Sequence, residues 1–405
     1  MKILYIHQYF NTPLMPGSTR SFEFAKRLVD RGDTVYMVTS NWQGKSNKSF
    51  TNESGIKVFW APLRYSNKMN FMSRLMIFFQ FLWYVLLIGN KLKYDLIIAS
   101  STPLTVVLPA LYLKKKKMVK LVLELRDLWP QLPIAIGAIK SSFLIKLSRM
   151  LEKKAYLNSD HVVVLSKGMA NELKGKISKK KLSVVTNLCD TNSFYISPKK
   201  GYEFRKKIAL DKNSPLIIYA GSFGKINGVS YLVDIAKEMK QINKNIKFLL
   251  SGDGYEKIKI INKAKNYSLL DKTFFIRDYL PKNEMPSLLS AATITTSFFI
   301  DLPEMENNSA NKFFDGLAAG KPIMINYQGW QADLLKKTNA GFIIPKNDPL
   351  KAAEIINDKI KNSKNLEAMG KEAYKLSLKF DIKLNFNKLK KILDDILLSN
   401  EIGLK

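Results

Sequence analysis

The side chains best suited to chemistry cluster in one stretch, Asn308–Pro322, which reads NSANKFFDGLAAGKP. A polar loop here feeds a helix, whose first turn offers unpaired backbone N–H groups at the positive end of its dipole. Asn308 and Ser309 lie in that loop. Lys312, in the first turn, adds a compact positive charge of the kind that holds phosphate. Asp315 follows three residues later on the same helical face, where its carboxylate can accept hydrogen bonds from a ribose diol. Gly316, Ala318, Ala319 and Gly320 admit a neighbouring backbone closely, and Pro322 opens the next strand. By itself the pattern also fits any helix–turn–strand unit.

Three further stretches carry candidate chemistry. Tyr219–Gly228 (YAGSFGKING) is a glycine-rich turn after a strand; Gly221, Ser222 and Gly224 let backbone approach a diphosphate and Lys225 supplies charge. Phe248–Tyr255 (FLLSGDGY) ends in Gly252, Asp253 and Gly254, which permit a sharp reversal after a buried strand. Glu124–Pro130 (ELRDLWP) sets Glu124, Arg126 and Asp127 at the carboxyl end of an apolar strand, where charge is costly unless it faces a recess. The plainer reading is an ion pair of Arg126 with Glu124 or Asp127 that orders a loop. His7, at the end of the first strand, leads through Gly17 and Ser18 into a helix start. A lone histidine there is more often structural, and His161, which opens a core strand, reads as structural too. The single cysteine, Cys189, excludes a disulfide framework and a multi-cysteine metal site. There is no G-x-x-x-x-G-K-[ST] loop and no G-x-S-x-G elbow, which argues against P-loop phosphoryl transfer and acyl transfer.

These residues need a scaffold, and 405 residues with 46% hydrophobic side chains suit two domains with substantial cores. Strand-like runs alternate with helical ones: Lys2–His7, Thr34–Ser40, Ile56–Ala61, Asp95–Ser101, Lys120–Arg126, His161–Ser166 and Leu182–Thr186. After a polar break at Asp190–Lys200 come Leu216–Ala220, Lys247–Ser251, Thr273–Ile276, Thr293–Phe298, Pro322–Asn326 and Gly341–Ile344. The expectation is two doubly wound α/β domains, residues 1–195 and 196–380, facing each other across a cleft, with ligands at the strands' carboxyl ends. Residues 381–405 have helical spacing and are expected to pack back across the first domain. MKILYIHQYF has no secretory signal pattern and reads as a first strand, consistent with a cytoplasmic protein.

Sixty-five Lys and Arg against 34 acids give a formal charge of +31, which draws polyanions or an anionic membrane surface. The lysines are spread along the chain, so much of that charge also reads as ordinary solvated surface. Phe71–Asn90 (FMSRLMIFFQFLWYVLLIGN) approaches the ~20 apolar residues that span a bilayer. It can be read as a transmembrane helix, as a buried helix of the first domain, or as an interfacial helix with Trp83 and Tyr84 at headgroup level. The interfacial, membrane-associating reading is the expectation carried forward, with Lys114–Lys117 as an adjoining electrostatic dock.

DGLAAGKP, Asp315 to Pro322, resembles the acid-x-x-x-x-G-x-P signature of glycosyltransferase family 4, whose members have the GT-B fold and retain anomeric configuration. In that family a first acid eight residues earlier meets the donor sugar, and here the position is Asn307. Tyr219–Gly228 is similar to the family's glycine-rich loop, with Ser222 and Asn227 where arginine and lysine are usual; Lys225 or Lys312 then supplies the charge. Leu280–Ala292 resembles the segment near the nucleobase, with Tyr279 beside it. ELRDLWP resembles a branch that builds bacterial capsule, O-antigen and colanic-acid-type polysaccharides with N-acetylfucosamine-like sugars. The resemblance implies catalytic roles for Asp127, Glu124 and Arg126, and an acceptor-side loop containing His7, Gly17 and Ser18. It implies a UDP-sugar as donor substrate, no further cofactor, no metal and no nucleic acid. The implied acceptor is a polyprenyl-diphosphate-linked saccharide, met by a peripheral enzyme on the inner face of the cytoplasmic membrane. The rival readings are a nicotinamide-dependent oxidoreductase or nucleotide-sugar epimerase, which lacks its G-x-G-x-x-G after the first strand, and a non-catalytic polyanion binder.

Overall fold

The computed structural model describes residues 1–44, 48–65, 69, 71–194 and 197–402. They form two compact units, described in turn. Unit 1 holds residues 1–12, 18–186 and those from Lys383 onward, and unit 2 holds Pro13–Gly17 and Asn187–Ile382. The expected domain boundary at 195/196 lies outside the described residues; the chain passes between units after Thr186.

The sheet of unit 1 contains β1 (Lys2–Ile6), β2 (Thr34–Ser40), β3 (Phe50–Glu53), β4 (Ile56–Ala61), β5 (Leu96–Ser100), β6 (Lys120–Leu125), β7 (His161–Val164) and β8 (Leu182–Val184). Their order is β3-β4-β2-β1-β5-β6-β7-β8, parallel throughout except for the β3–β4 hairpin. Central strands such as LIIAS of β5 are buried along their whole length, as parallel strands covered on both faces must be. β3 was not expected from the sequence. Its mostly polar FTNE has no apolar alternation, and it forms because Ser54 and Gly55, both at positive φ, turn it back onto β4.

Helices of this unit are α1 (Arg20–Asp30), α2 (Phe71–Lys91), α3 (Val107–Lys117), α4 (Gln131–Ala135), α5 (Ser142–Asn158) and α6 (Lys167–Glu172). Phe81 and Val85 of α2, Ala110 and Leu113 of α3, and Ala155 and Tyr156 of α5 share one core with sheet residues such as Leu4, Ile97 and Leu123. α2 packs into this core along one stripe, with Ile77, Phe81, Val85 and Gly89 buried, while Met76, Phe79 and Trp83 are exposed. By length and composition alone Met72–Lys91 could cross a membrane.

Unit 2 has a six-stranded parallel sheet, β9 (Leu216–Ala220), β10 (Lys247–Ser251), β11 (Phe274–Arg277), β12 (Ile294–Ser297), β13 (Ile323–Ile325) and β14 (Gly341–Ile343), in the order β11-β10-β9-β12-β13-β14. Around it lie α7 (Pro198–Lys207), α8 (Tyr231–Ile242), α9 (Lys257–Asn266), α10 (Met285–Ser290), α11 (Asn311–Ala318), α12 (Trp330–Thr338), α13 (Pro349–Lys361) and α14 (Ser363–Ser377). The final helix, α15 (Ile382–Ile402), returns to unit 1, where Phe386 meets Phe24 and Asp394 pairs with Arg31 at 2.9 Å.

Phe81 is 1% exposed between α2 and the sheet. Phe81→Ala should lower the stability of unit 1 by about 3–5 kcal/mol in urea unfolding. An unchanged transition would mean that α2 is not packed there.

Candidate functional site

In unit 1 the polar residues gather at the carboxyl ends of β1, β5 and β6. Glu124, 3% exposed, receives Arg20 Nε on one oxygen at 2.8 Å and Ser100 Oγ on the other at 2.6 Å. Burial pushes its pKa up, but Arg20 and Arg126 outweigh that and hold it below the ordinary carboxylate value. Arg20, at the start of α1, also donates to the carbonyls of Val185 and Thr186 just after β8. The pair thus locks α1, β6 and the chain leaving the sheet. Glu124 is one of the residues expected to be catalytic, and both its oxygens accept hydrogen bonds here, from Arg20 and Ser100.

Arg126 Nη1 lies 3.0 Å from His7 Nε2, and His7 Nδ1 lies 2.7 Å from Ser21 Oγ. A guanidinium only donates, so Nε2 accepts and the His7 proton sits on Nδ1, facing Ser21. Burial, reinforced by Arg126, holds the His7 pKa well below its usual value, so the ring is neutral. Asp127 is reached by solvent, yet loss of surrounding water raises its pKa against the pull of Arg126. Of the three residues expected to be catalytic, it is the one whose carboxylate is open. His161 bonds Ser183 at 2.9 Å at the edge of the core. Ser18 begins the approach to α1 in unit 1, whereas Gly17 belongs to the short segment counted with unit 2.

Unit 2 holds the glycine-rich loop against the Gly-Asp-Gly turn. Phe223 N–H donates to the Asp253 carbonyl at 2.9 Å, and Gly252 N–H to the Arg277 carbonyl at 2.9 Å. A Cβ on Gly254, at φ 155, would come within 2.7 Å of the Phe223 backbone, so glycine is required for this close approach. Gly252 and Asp253 therefore hold Gly221, Ser222 and Gly224 in place. Tyr279 is exposed near Ser222 and Asp253, and burial of its hydroxyl end raises its pKa.

Lys312 lies in the first turn of α11. Its Nζ reaches Asn227 Oδ1 at 2.7 Å and Tyr219 Oη at 3.2 Å, and it lies over the rings of Tyr219 and Phe299. Among the described residues no carboxylate is within 4 Å of it, and desolvation lowers its pKa to about 7. Lys225, the other candidate, is exposed. At the start of the same helix Ser309 Oγ is buried without a protein partner, while Asn308 Oδ1 accepts from Ala310 N–H at 3.1 Å.

Asp315 is not free. Lys282 Nζ lies 2.6 Å from both its oxygens and 4.9 Å above the Phe194 ring. Burial raises the Asp315 pKa and Lys282 opposes it. Sequence reasoning missed Lys282 and Arg20 because each lies far along the chain from its partner. Among the described residues no three His, Cys, Asp or Glu side chains gather as metal ligands.

Two Rossmann-like units in tandem, each with its polar groups at strand carboxyl ends, define the GT-B architecture. The model for Glycosyltransferase Family 4 matches residues 17–193, and that for Glycosyl transferases group 1 matches residues 202–376. "Probable glycosyltransferase WbjE" of Pseudomonas aeruginosa is 24% identical over 307 residues, 72% of this chain and 73% of that protein. WcaI of Escherichia coli K12, provisionally named a colanic acid biosynthesis glycosyl transferase, is 22% identical over 71% of this chain and 74% of its own. The Anabaena HepE structure with UDP-glucose superposes with a TM-score of 0.73 at 16% identity, over 98% of this chain and 100% of that one. That last likeness is one of fold. The chain is a GT-B glycosyltransferase, with a family 4 domain followed by a group 1 domain.

Glu124→Gln should leave Arg20 buried without its counter-charge and destabilise the protein by about 3 kcal/mol. Because the Glu124 pKa is depressed in the folded state, its contribution is present above the ordinary carboxylate pKa and is lost as pH falls through the lower folded value. Thermal melting of wild type and variant should therefore differ at neutral pH and converge in acid. A constant gap at all pH values would remove the ion pair as its cause.

Proposed function

We propose that this glycosyltransferase is retaining and metal-independent, and uses a UDP-linked N-acetylated hexosamine such as N-acetylfucosamine. The acceptor is a polyprenyl-diphosphate-linked saccharide at the inner face of the cytoplasmic membrane, in assembly of a bacterial surface polysaccharide. The names of WbjE and WcaI and the UDP-glucose bound by HepE support this reading. The ELRDLWP branch resemblance supports the sugar class, and the neutral amide of Asn307 suits an N-acetyl group in place of a hydroxyl.

The observation that carries donor use is Lys312: a desolvated amine with no acid beside it, at the first turn of α11. A diphosphate there restores its charge. The N-terminal N–H groups of α11 and the unpartnered Ser309 hydroxyl add neutral donors. Together they neutralise charge that builds on the departing diphosphate as the sugar–oxygen bond breaks. The leaving phosphate oxygen takes the acceptor hydroxyl's proton as that oxygen attacks from the same face, so no side-chain base is required. Asp315, held ionised and aimed by Lys282, accepts from the ribose diol, and Tyr279 offers its ring to the base. Asp127 is positioned for a sugar hydroxyl.

Binding of UDP should draw protons from solution. At pH 8 the free Lys312 amine is mostly neutral, so close to one proton is taken up per UDP, read by calorimetry in buffers of different ionisation enthalpy. Affinity should fall about tenfold per pH unit above 7, and Lys312→Met should abolish both effects. Wild-type binding without proton uptake would remove Lys312 from the phosphate site. A donor screen with membrane extract, reading transfer into lipid-linked product by mass, tests sugar and acceptor. Transfer into water-soluble sugars only would sink the lipid acceptor. Asp315→Ala should weaken UDP binding strongly, and it should also cost stability, since Lys282 loses its partner. Wild-type turnover in that variant would place Asp315 outside the donor site.

A further inference from the structure

Unit 1 exposes apolar side chains that its own packing does not use. α2 buries Ile77, Phe81 and Val85 and turns Met76, Phe79 and Trp83 (64% exposed) to the outside. α5 repeats this double-faced design. Its inner side sets Ser148, Ala155 and Tyr156 against the unit, while its outer side exposes Phe143 (70%), Leu147, Met150 and Leu157. Those four positions fall on one stripe of a helix. Lys146, Arg149 and Lys153 lie along one side of the stripe and Lys154 within it, all exposed. An open groove along the helix is lined by Ser142, Ile145, Lys146, Arg149, Met150 and Lys153. The one acid on α5, Glu152, is engaged by the Tyr156 hydroxyl at 3.0 Å. α3 packs beside both helices and contributes exposed Lys115, Lys116 and Met118. Single exposed apolar residues are ordinary on a protein surface, but a stripe of them rimmed by cations marks an interaction site.

We propose that α5 is a second membrane anchor, seating its basic side chains on anionic lipid headgroups while Phe143, Leu147 and Met150 enter the interface beside α2. This inference deepens the membrane-face reading and rests on it. The charge selects the occupant. A second copy of the chain on this face would set cations against cations, whereas an anionic bilayer meets both the apolar stripe and its basic rim.

Flotation of the full chain with vesicles of phosphatidylcholine alone, and with 30 mol% phosphatidylglycerol (roughly a bacterial anionic content), tests it. Lys146→Gln/Arg149→Gln/Lys153→Gln should bind the anionic vesicles at least about tenfold more weakly and leave the weak binding to neutral vesicles unchanged. Met76→Ser/Phe79→Ser/Trp83→Ser should lose binding to both. A UDP-induced thermal shift equal to wild type shows that each variant is folded. If the glutamine variant floats like wild type while the serine variant is released, α5 is no anchor and the α2 reading stands. If wild type binds neither vesicle, both readings fall. A wild-type dimer in light scattering that the α5 variant splits would assign the face to a second copy and overturn the proposal.

Discussion

Every part of this molecule is arranged around the cost of removing a charge from water. Both sheets are covered on two faces, so their strands are apolar along their length and polar groups are confined to the strand ends. At those ends each buried charge needs a partner. Arg20 and Glu124 supply this in unit 1, and Lys282 and Asp315 in unit 2. The first pair does more than neutralise itself, because Arg20 also caps the carbonyls at Val185 and Thr186 and so fixes where the chain leaves its sheet.

Against that background Lys312 of unit 2, half-buried, has no acid partner among the described residues, and desolvation lowers its pKa to about 7. Its amine donates to Asn227 Oδ1 at 2.7 Å, across from the first turn of α11. Asp315, one methylene shorter than the usual glutamate, is correspondingly steadied by Lys282. Asn227 and Asp315 each meet a lysine, Lys312 and Lys282 in turn.

The same cost explains the outer helices of unit 1. A helix that is apolar on both sides gains from packing on only one of them, and α2 and α5 each leave the second side open.

Much of this was legible in the chain itself. Parallel strands of a doubly wound sheet are continuous apolar runs bounded by turns, so all thirteen expected strands are present: Thr34–Ser40, Ile56–Ala61, Leu216–Ala220 and Lys247–Ser251 match to the residue, and the other nine need only their ends adjusted by a residue or two. β3 escaped because its four residues, one apolar and three polar, carry no pattern and depend on the turn at Ser54–Gly55. Lys312 and Asp315 were identifiable because helix-start chemistry is local. Their electrostatic state was not, since it depends on Asn227, Tyr219 and Lys282, brought up from distant segments. Likewise the ion-pair partner of Glu124, Arg20, lies 104 residues away along the chain. Composition and periodicity determined the elements, because those follow from neighbours along the chain. Tertiary structure decided which charges are neutralised and which apolar faces stay open, because pairing and desolvation are set by what the fold brings within a few ångströms.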